Sequence, residues 1–173
     1  DNSFGDYLFI HEFAHQFAGL ADEYYTSPVA YEPPAEIVEP WAPNVTASID
    51  AARLKWRDLL TSGVPIPTPW PKEQFEAMSK DFQSRRAKIR ADNRPESEMR
   101  RLFQEGLEAE TKLLSTAAHA GKVGLFQGAN YDARAFYRPE IDCIMFTRNK
   151  VPFCRVCQRS LSSVIDRHTG RSG

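Results

Sequence analysis

Long apolar runs, surplus charge and cysteine are what this chain of 173 residues has least of. No stretch approaches the roughly 18 consecutive apolar residues that a membrane-spanning helix requires. The 22 basic and 23 acidic residues leave a formal net charge of −1. Such a balance exerts no strong pull on nucleic acid or on an anionic membrane, so neither is expected as a partner. Only three cysteines occur, Cys143, Cys154 and Cys157. An odd, low count leaves the compartment open, since one disulfide with a spare thiol and a fully reduced set are both compatible with it. There is no internal repeat and no visible signal peptide. The opening "DNSFGDYLFI" reads as the interior of a longer polypeptide.

What is present is the composition of a soluble globular protein, long enough to bury one sizeable core. Residues 1–173 are read as one domain, or the C-terminal part of one, of the α+β class and rich in helix. Asp6 can cap a helix over Tyr7–Ala18, and Gly19 stops it. Prolines 28, 33, 34, 40 and 43 make the next stretch an ordered loop or lid rim. Asn44-Val45-Thr46 matches a glycosylation sequon. Ser48–Leu60 is expected to be helical, and residues 63–71 extended.

A helical hairpin follows, over Pro71–Ala91 and Pro95–Ala118, with its break at Asp92–Pro95. One apolar stripe carries Phe75, Met78, Phe82 and Ile89. The other carries Met99, Leu102, Phe103, Leu107, Leu113 and Leu114. Packing is the expected role of both. Beyond Gly121 the glycines, aromatics and prolines indicate tight turns, and a last helix runs over Cys154–Arg167 with Val156, Leu161, Val164 and Ile165 on one side. The ending "RHTGRSG" is expected to fray.

The chemistry is concentrated in "HEFAHQFAGLADEY", residues 11–24. His11 and His15 lie one helical turn apart, so both imidazoles leave one face and can hold a zinc ion at roughly 2.0–2.1 Å. Glu12 lies about 100° further round and can reach a water on the metal rather than the metal itself. Zinc lowers the pKa of that water towards roughly 7, and Glu12 accepts its proton and passes it to the leaving amine. A catalytic zinc needs a third protein ligand, yet no third histidine follows. Gly19 lets the chain double back, and Asp22 comes three residues later, so Asp22 is the chosen ligand. Glu23 is its competitor, or else a group that bonds a neighbouring backbone or histidine. Glu105, Glu108 and Glu110 of the hairpin are more distant alternatives. The plain alternative for the two histidines is ordinary placement on an amphipathic helix.

These residues resemble the IgA peptidase-like family of bacterial metallopeptidases, grouped with the metzincins. The pattern H-E-x-x-H-x-x-x-G-L-x-D-E-Y is met at every fixed position. "NVTASIDAARLKW", "GVPIPTP", "GLFQGANYDARAFYRPEIDCIMF" and "FCRVC" are similar to further segments of that family. The resemblance covers roughly two-thirds of the chain and omits the hairpin, so residues 71–120 read as an insertion into a metzincin-like catalytic domain. It implies zinc as cofactor, His11, His15 and Asp22 as ligands, Glu12 as general base and Met145 as a Met-turn floor beneath the histidines. Tyr131 and Tyr137 fall in the matching stretch, where a phenol could serve the oxyanion; half-buried packing is the alternative for each. Ala14, Gln127 and "ARAF" at 133–136 depart from residues often found in the family, which puts substrate preference in question more than the metal chemistry.

The implied activity is zinc-dependent endopeptidase cleavage of a polypeptide, by a secreted or extracytoplasmic bacterial protein whose export signal lies outside this chain. Nothing in these residues reads a proline-rich hinge, so immunoglobulin cleavage is not carried over. The alternative function is an inactive binding or adhesion module using the hairpin as its surface. Retention of Glu12 argues against that. For the cysteines, a disulfide from Cys143 to Cys154 or Cys157 would tie the Met-turn to the last helix. Free buried thiols come second. A structural zinc on Cys154-x-x-Cys157 comes third, because only Cys143, His119 and His168 could complete it and none is at a paired spacing.

Overall fold

The computed structural model describes residues 5–26, 28–32 and 36–170. The sequence readings of Pro33, Pro34 and the last three residues lie outside that set. Helix α1 spans Gly5–Ala18, α2 Lys72–Ala91, α3 Glu96–Ser115 and α4 Arg155–Thr169, and strands β1 (Phe126–Ala129) and β2 (Asp132–Arg138) form an antiparallel pair. This is an α+β arrangement, rich in helix, with a two-stranded sheet among the described residues. No described helix is long and apolar enough to cross a membrane.

Gly19 ends α1 as expected. Its φ is +62° and its amide bonds the His15 carbonyl at 3.1 Å. A side chain there would also meet the Trp41 ring, since a Cβ would lie 2.6 Å from it. Asp6 falls inside the first turn of α1 rather than capping it. The outer face of α1 is apolar and exposed at Phe9 and Phe13, with Phe13 stacked on Phe17 at 4.9 Å.

The expected helix over Ser48–Leu60 is not formed. Two 3-10 turns, Ala51–Arg53 and Arg57–Leu59, flank an extended Leu54 (ψ 135°). Tertiary bonds override local propensity here. The Lys55 ammonium reaches the carbonyls of Ala42 and Val45 at 2.8 and 2.6 Å, while the next side chain, Trp56, is fully buried and donates to the Gly124 carbonyl at 2.9 Å. A continuous helix would not aim these neighbours at those two targets.

Helices α2 and α3 pack on each other as the apolar periodicity predicts, with the Phe82 and Phe103 rings edge to face at 5.3 Å. Gly106 allows the approach, since a Cβ there would stand 3.0 Å from Phe82. The segments that lead into and out of the hairpin are bonded together. Thr61 donates to the Val123 carbonyl at 3.0 Å, and Thr68 to that of Leu125 at 2.8 Å. The hairpin therefore leaves the body and returns to it at one place.

The main core joins Trp56, Phe75, Leu114, Leu125, Phe126, Met145 and Val156. Arg138 is buried within it. Its guanidinium lies 3.7 Å from the Phe146 ring centroid and 4.3 Å from that of Trp70, and it donates to the Gly128 carbonyl at 2.7 Å. Helix α4 packs against α1 and buries Val156 and Cys157 at its start, while Ile165 is left 50% exposed.

Candidate metal centre

One helical turn separates His11 and His15, and α1 brings their Nε2 atoms to 3.2 Å. Asp22, on the returning chain, places Oδ1 2.9 Å from His11 Nε2 and 3.3 Å from His15 Nε2. A tetrahedral ion with bonds of roughly 2.0–2.1 Å separates its ligand atoms by about 3.3 Å. The three atoms are thus spaced to share one cation, and the other side of each imidazole supports that use. His11 Nδ1 lies 3.0 Å from the Ile144 carbonyl, and His15 Nδ1 lies 2.6 Å from that of Leu20. A carbonyl only accepts, so each Nδ1 carries a hydrogen, and each ring in its neutral form turns a bare Nε2 lone pair to the site. Two lone pairs and a carboxylate converging at these distances fit a divalent metal.

Burial disfavours the His11 cation, but as a cation the ring donates from Nε2 to Asp22 and from Nδ1 to the Ile144 carbonyl, and these bonds outweigh burial and raise its pKa. For Asp22, burial is opposed by the bonds from His11 and Tyr131 and by the histidine charges, and the net effect lowers its pKa.

Asp22 is held by a β-turn. Asn130 and Tyr131 join β1 to β2 and both have positive φ, 50° and 61°. That is the geometry of a two-residue hairpin turn whose twist matches its strands. Their amides donate to the carbonyls of Asp22 and Tyr24 at 3.0 Å each, and the Tyr131 hydroxyl donates to Asp22 Oδ2. Tyr24 and Tyr131 hydroxyls are 2.7 Å apart. Tyr137 is placed elsewhere. The register pairs it with Gln127, its backbone bridges to Thr46, and its ring packs on the main core. Six residues of strand, at roughly 3.3 Å each, put it about 20 Å from Tyr131.

Against His11, Cys143–Phe146 forms a turn, with the Phe146 amide 2.8 Å from the Cys143 carbonyl. Its Ile144 carbonyl is the one that orients His11, and Met145 is fully buried. Glu12 is exposed and lines a cleft of about 400 Å³ with His11, Tyr7, Phe82, Phe103, Glu110 and Arg148 among its walls.

A sequence profile of the family described as IgA Peptidase M64 matches residues 1–165. The chain belongs to the IgA Peptidase M64 family. As a member of that family it is a peptidase, and polypeptide is its class of substrate. A comparison with curated proteins found no match.

In this M64 peptidase, Glu23 takes no part in the histidine cluster. It is fully buried and faces the cysteines, with Oε1 3.4 Å from Cys157 Sγ and 3.9 Å from Cys154 Sγ. Burial, together with the neighbouring Cys143 charge, pushes its pKa well up. Of the hairpin glutamates, Glu105 pairs with Arg85 at 2.6 Å and Glu110 lines the cleft. The grouping that holds both histidines contains Asp22 and none of these three.

The expected disulfide is not formed. All three thiols are free and buried, and Cys143 and Cys157 Sγ lie 3.9 Å apart, against about 2.05 Å in a disulfide. The glycosylation reading of Asn44 is also overturned, because its side chain is fully buried. Its amide accepts from Ala21 N at 2.8 Å and donates to Ala21 O at 2.9 Å and Glu23 Oε1 at 3.0 Å. Asn44 therefore clamps the chain just before Asp22. Sequence reasoning missed it, and missed Tyr7, whose hydroxyl lies 3.2 Å from His11 Nδ1. The position of Tyr7, one turn before His11, was the available signal.

Proposed function

We propose that the chain is a zinc-dependent endopeptidase of the metzincin type. His11, His15 and Asp22 hold the ion through Nε2, Nε2 and Oδ1. The observation that carries this reading is the meeting of those three atoms at 2.9–3.3 Å while both Nδ1 atoms face backbone carbonyls.

When bound, zinc supplies a Lewis acid for the scissile carbonyl and acidifies a water to a pKa of roughly 7. Glu12 takes the proton of the attacking water on its carboxylate and delivers it to the leaving nitrogen. Tyr131 occupies Asp22 Oδ2 and so leaves Oδ1 for the metal. The Tyr131 hydrogen is held by Asp22 Oδ2, so Tyr24 is the rim phenol that can turn its hydrogen from Tyr131 to a developing oxyanion. Met145 and its turn form the floor that fixes the His11 ring from below.

The substrate reading is an extended polypeptide that places an apolar side chain in the cleft, against Phe82 and Phe103. We read residues 71–120 as a unit inserted into the catalytic domain, because its two ends meet through the Thr61–Val123 and Thr68–Leu125 bonds. Its role is to wall that cleft. Action outside the cytoplasm belongs to the same reading.

Glu12→Gln tests the mechanism. The variant is expected to keep the zinc content of the wild type and lose at least about 100-fold in hydrolysis of a denatured-protein substrate. Equal cleavage by both proteins would remove Glu12 from the chemistry.

A further inference from the structure

The hydrolytic reading leaves one buried polar cluster unused. Glu23, Cys143 and Cys157 are fully buried, Cys154 is 4% exposed, and one ligand atom from each lies within 4.8 Å of the others. Three distances are diagnostic: 3.9 Å between Cys143 and Cys157 sulfurs, 3.4 Å from Glu23 Oε1 to Cys157 Sγ, and 3.9 Å from it to Cys154 Sγ. A tetrahedral zinc with bonds of roughly 2.3 Å to sulfur and 2.0 Å to oxygen separates two sulfurs by about 3.8 Å, and a sulfur from an oxygen by about 3.5 Å. The cluster has the spacing of atoms around one ion.

Glu23 Oε2 is buried without a hydrogen-bond partner, so the carboxylate that meets the sulfurs through Oε1 carries a second, uncommitted oxygen. Backbone amides already point at the sulfurs. Met145 N and Cys154 N approach Cys143 Sγ at 3.4 and 3.2 Å, and Cys157 N approaches Cys154 Sγ at 3.5 Å. Cys154 is also the N-cap of α4, so the positive end of that helix faces the sulfurs. Three thiolates and a carboxylate around a divalent ion leave two negative charges. Arg138, fully buried, acts electrostatically on both Glu23 and Cys143 and offsets one of them.

We propose that Glu23, Cys143, Cys154 and Cys157 form a second, structural zinc site. Four protein ligands close it, which leaves no position for substrate. The protons still held by the thiols and by the Glu23 carboxyl go to solvent as three zinc–sulfur bonds and one zinc–oxygen bond form. The ion links the chain reversal after α1, the turn against His11 and the start of α4, joining residues up to 134 positions apart. It would hold in place both the residue after Asp22 and the turn whose carbonyl orients His11.

The site is independent of the hydrolytic reading, and the experiment separates the two. The chain is purified without reductant or chelator, as wild type and as H11A/H15A. Two zinc ions per wild-type chain and one per variant are expected. X-ray absorption of the variant should show a sulfur-dominated shell at roughly 2.3 Å. Cobalt-substituted wild type should show a thiolate-to-cobalt charge-transfer band in the near ultraviolet, a readout that does not depend on how the variant folds. Absence of that band, zinc in the variant surrounded only by nitrogen and oxygen, or a single reactive thiol in the denatured wild type would each overturn the proposal. Equal zinc in the two proteins, with sulfur ligation intact, would instead count against the histidine site.

Discussion

Asp22 and Glu23 are consecutive in the chain, yet their carboxylates serve separate clusters: Asp22 Oδ1 lies 2.9 Å from His11 Nε2, and Glu23 Oε1 lies 3.4 Å from Cys157 Sγ. Side chains alternate along extended backbone, and this segment is held extended by bonds on both edges. Asn130 and Tyr131 amides meet the carbonyls of Asp22 and Tyr24, while Glu23 N donates to the Met145 carbonyl at 2.8 Å.

Asp22→Ala should therefore strike the histidine cluster and spare the cysteines. The expected loss of zinc affinity at the histidine site exceeds roughly 100-fold, beyond the 10–100-fold typical of residues that merely orient a ligand. A chelator competition on the apo and zinc-loaded protein reads it. Unchanged affinity would mean that Asp22 is not the third ligand.

Tyr131→Phe should fall within that milder range. The variant keeps the ring edge to face with Tyr24 at 5.0 Å and removes only the hydroxyl that occupies Asp22 Oδ2. Zinc affinity should drop about tenfold. The same competition measurement checks it, and a rise in affinity would show that the hydroxyl competes with the metal for Asp22.

The parts of this architecture legible in the sequence are those with a period. Apolar residues at helical spacing marked α2, α3 and α4, while α1 was marked by its glycine stop, and the 11–15 pair placed two imidazoles on one face. Gly19 announced the chain reversal because only a positive φ with no side chain fits beneath Trp41. Structure that depends on distant partners was not legible. Lys55 and Trp56 break an expected helix through bonds to Pro40, Ala42, Val45 and Gly124. Asn44 looked like a surface acceptor and is a buried clamp. The β-turn at Asn130–Tyr131 places a bulky residue at positive φ, which sequence chemistry disfavours, so it gave no hairpin signal. The direction of Glu23 could not be read because backbone pairing on either side decides it.

Asn44→Ala tests the clamp. It would leave Ala21 N and O without their side-chain partner and deprive Glu23 Oε1 of its amide donor. Leaving such buried groups unpaired costs about 1–3 kcal/mol each, so a loss of roughly 3 kcal/mol is expected in denaturant unfolding. A cost below about 1 kcal/mol would mean that water replaces the amide.

Glu110 makes stability depend on pH. Burial, helped by the Asp142 charge and opposed by Arg148, pushes its pKa up to about 7 from 4.5. The folded chain then holds a proton that the unfolded chain has lost between those two values. Stability is fully retained below about pH 4.5 and falls as pH rises towards 7, because ionisation is easier in the unfolded state. The unscreened shift corresponds to about 3 kcal/mol, and partial exposure reduces the expected effect to about 2 kcal/mol. Glu110→Gln keeps the neutral shape and cannot ionise. It should match the wild type at pH 4.5 and exceed it at pH 8 by about 4–8 °C in Tm for a domain of this size. Thermal unfolding of both proteins across that range measures the difference. A gap that stays constant with pH would show that Glu110 ionises as freely in the folded chain as in the unfolded one.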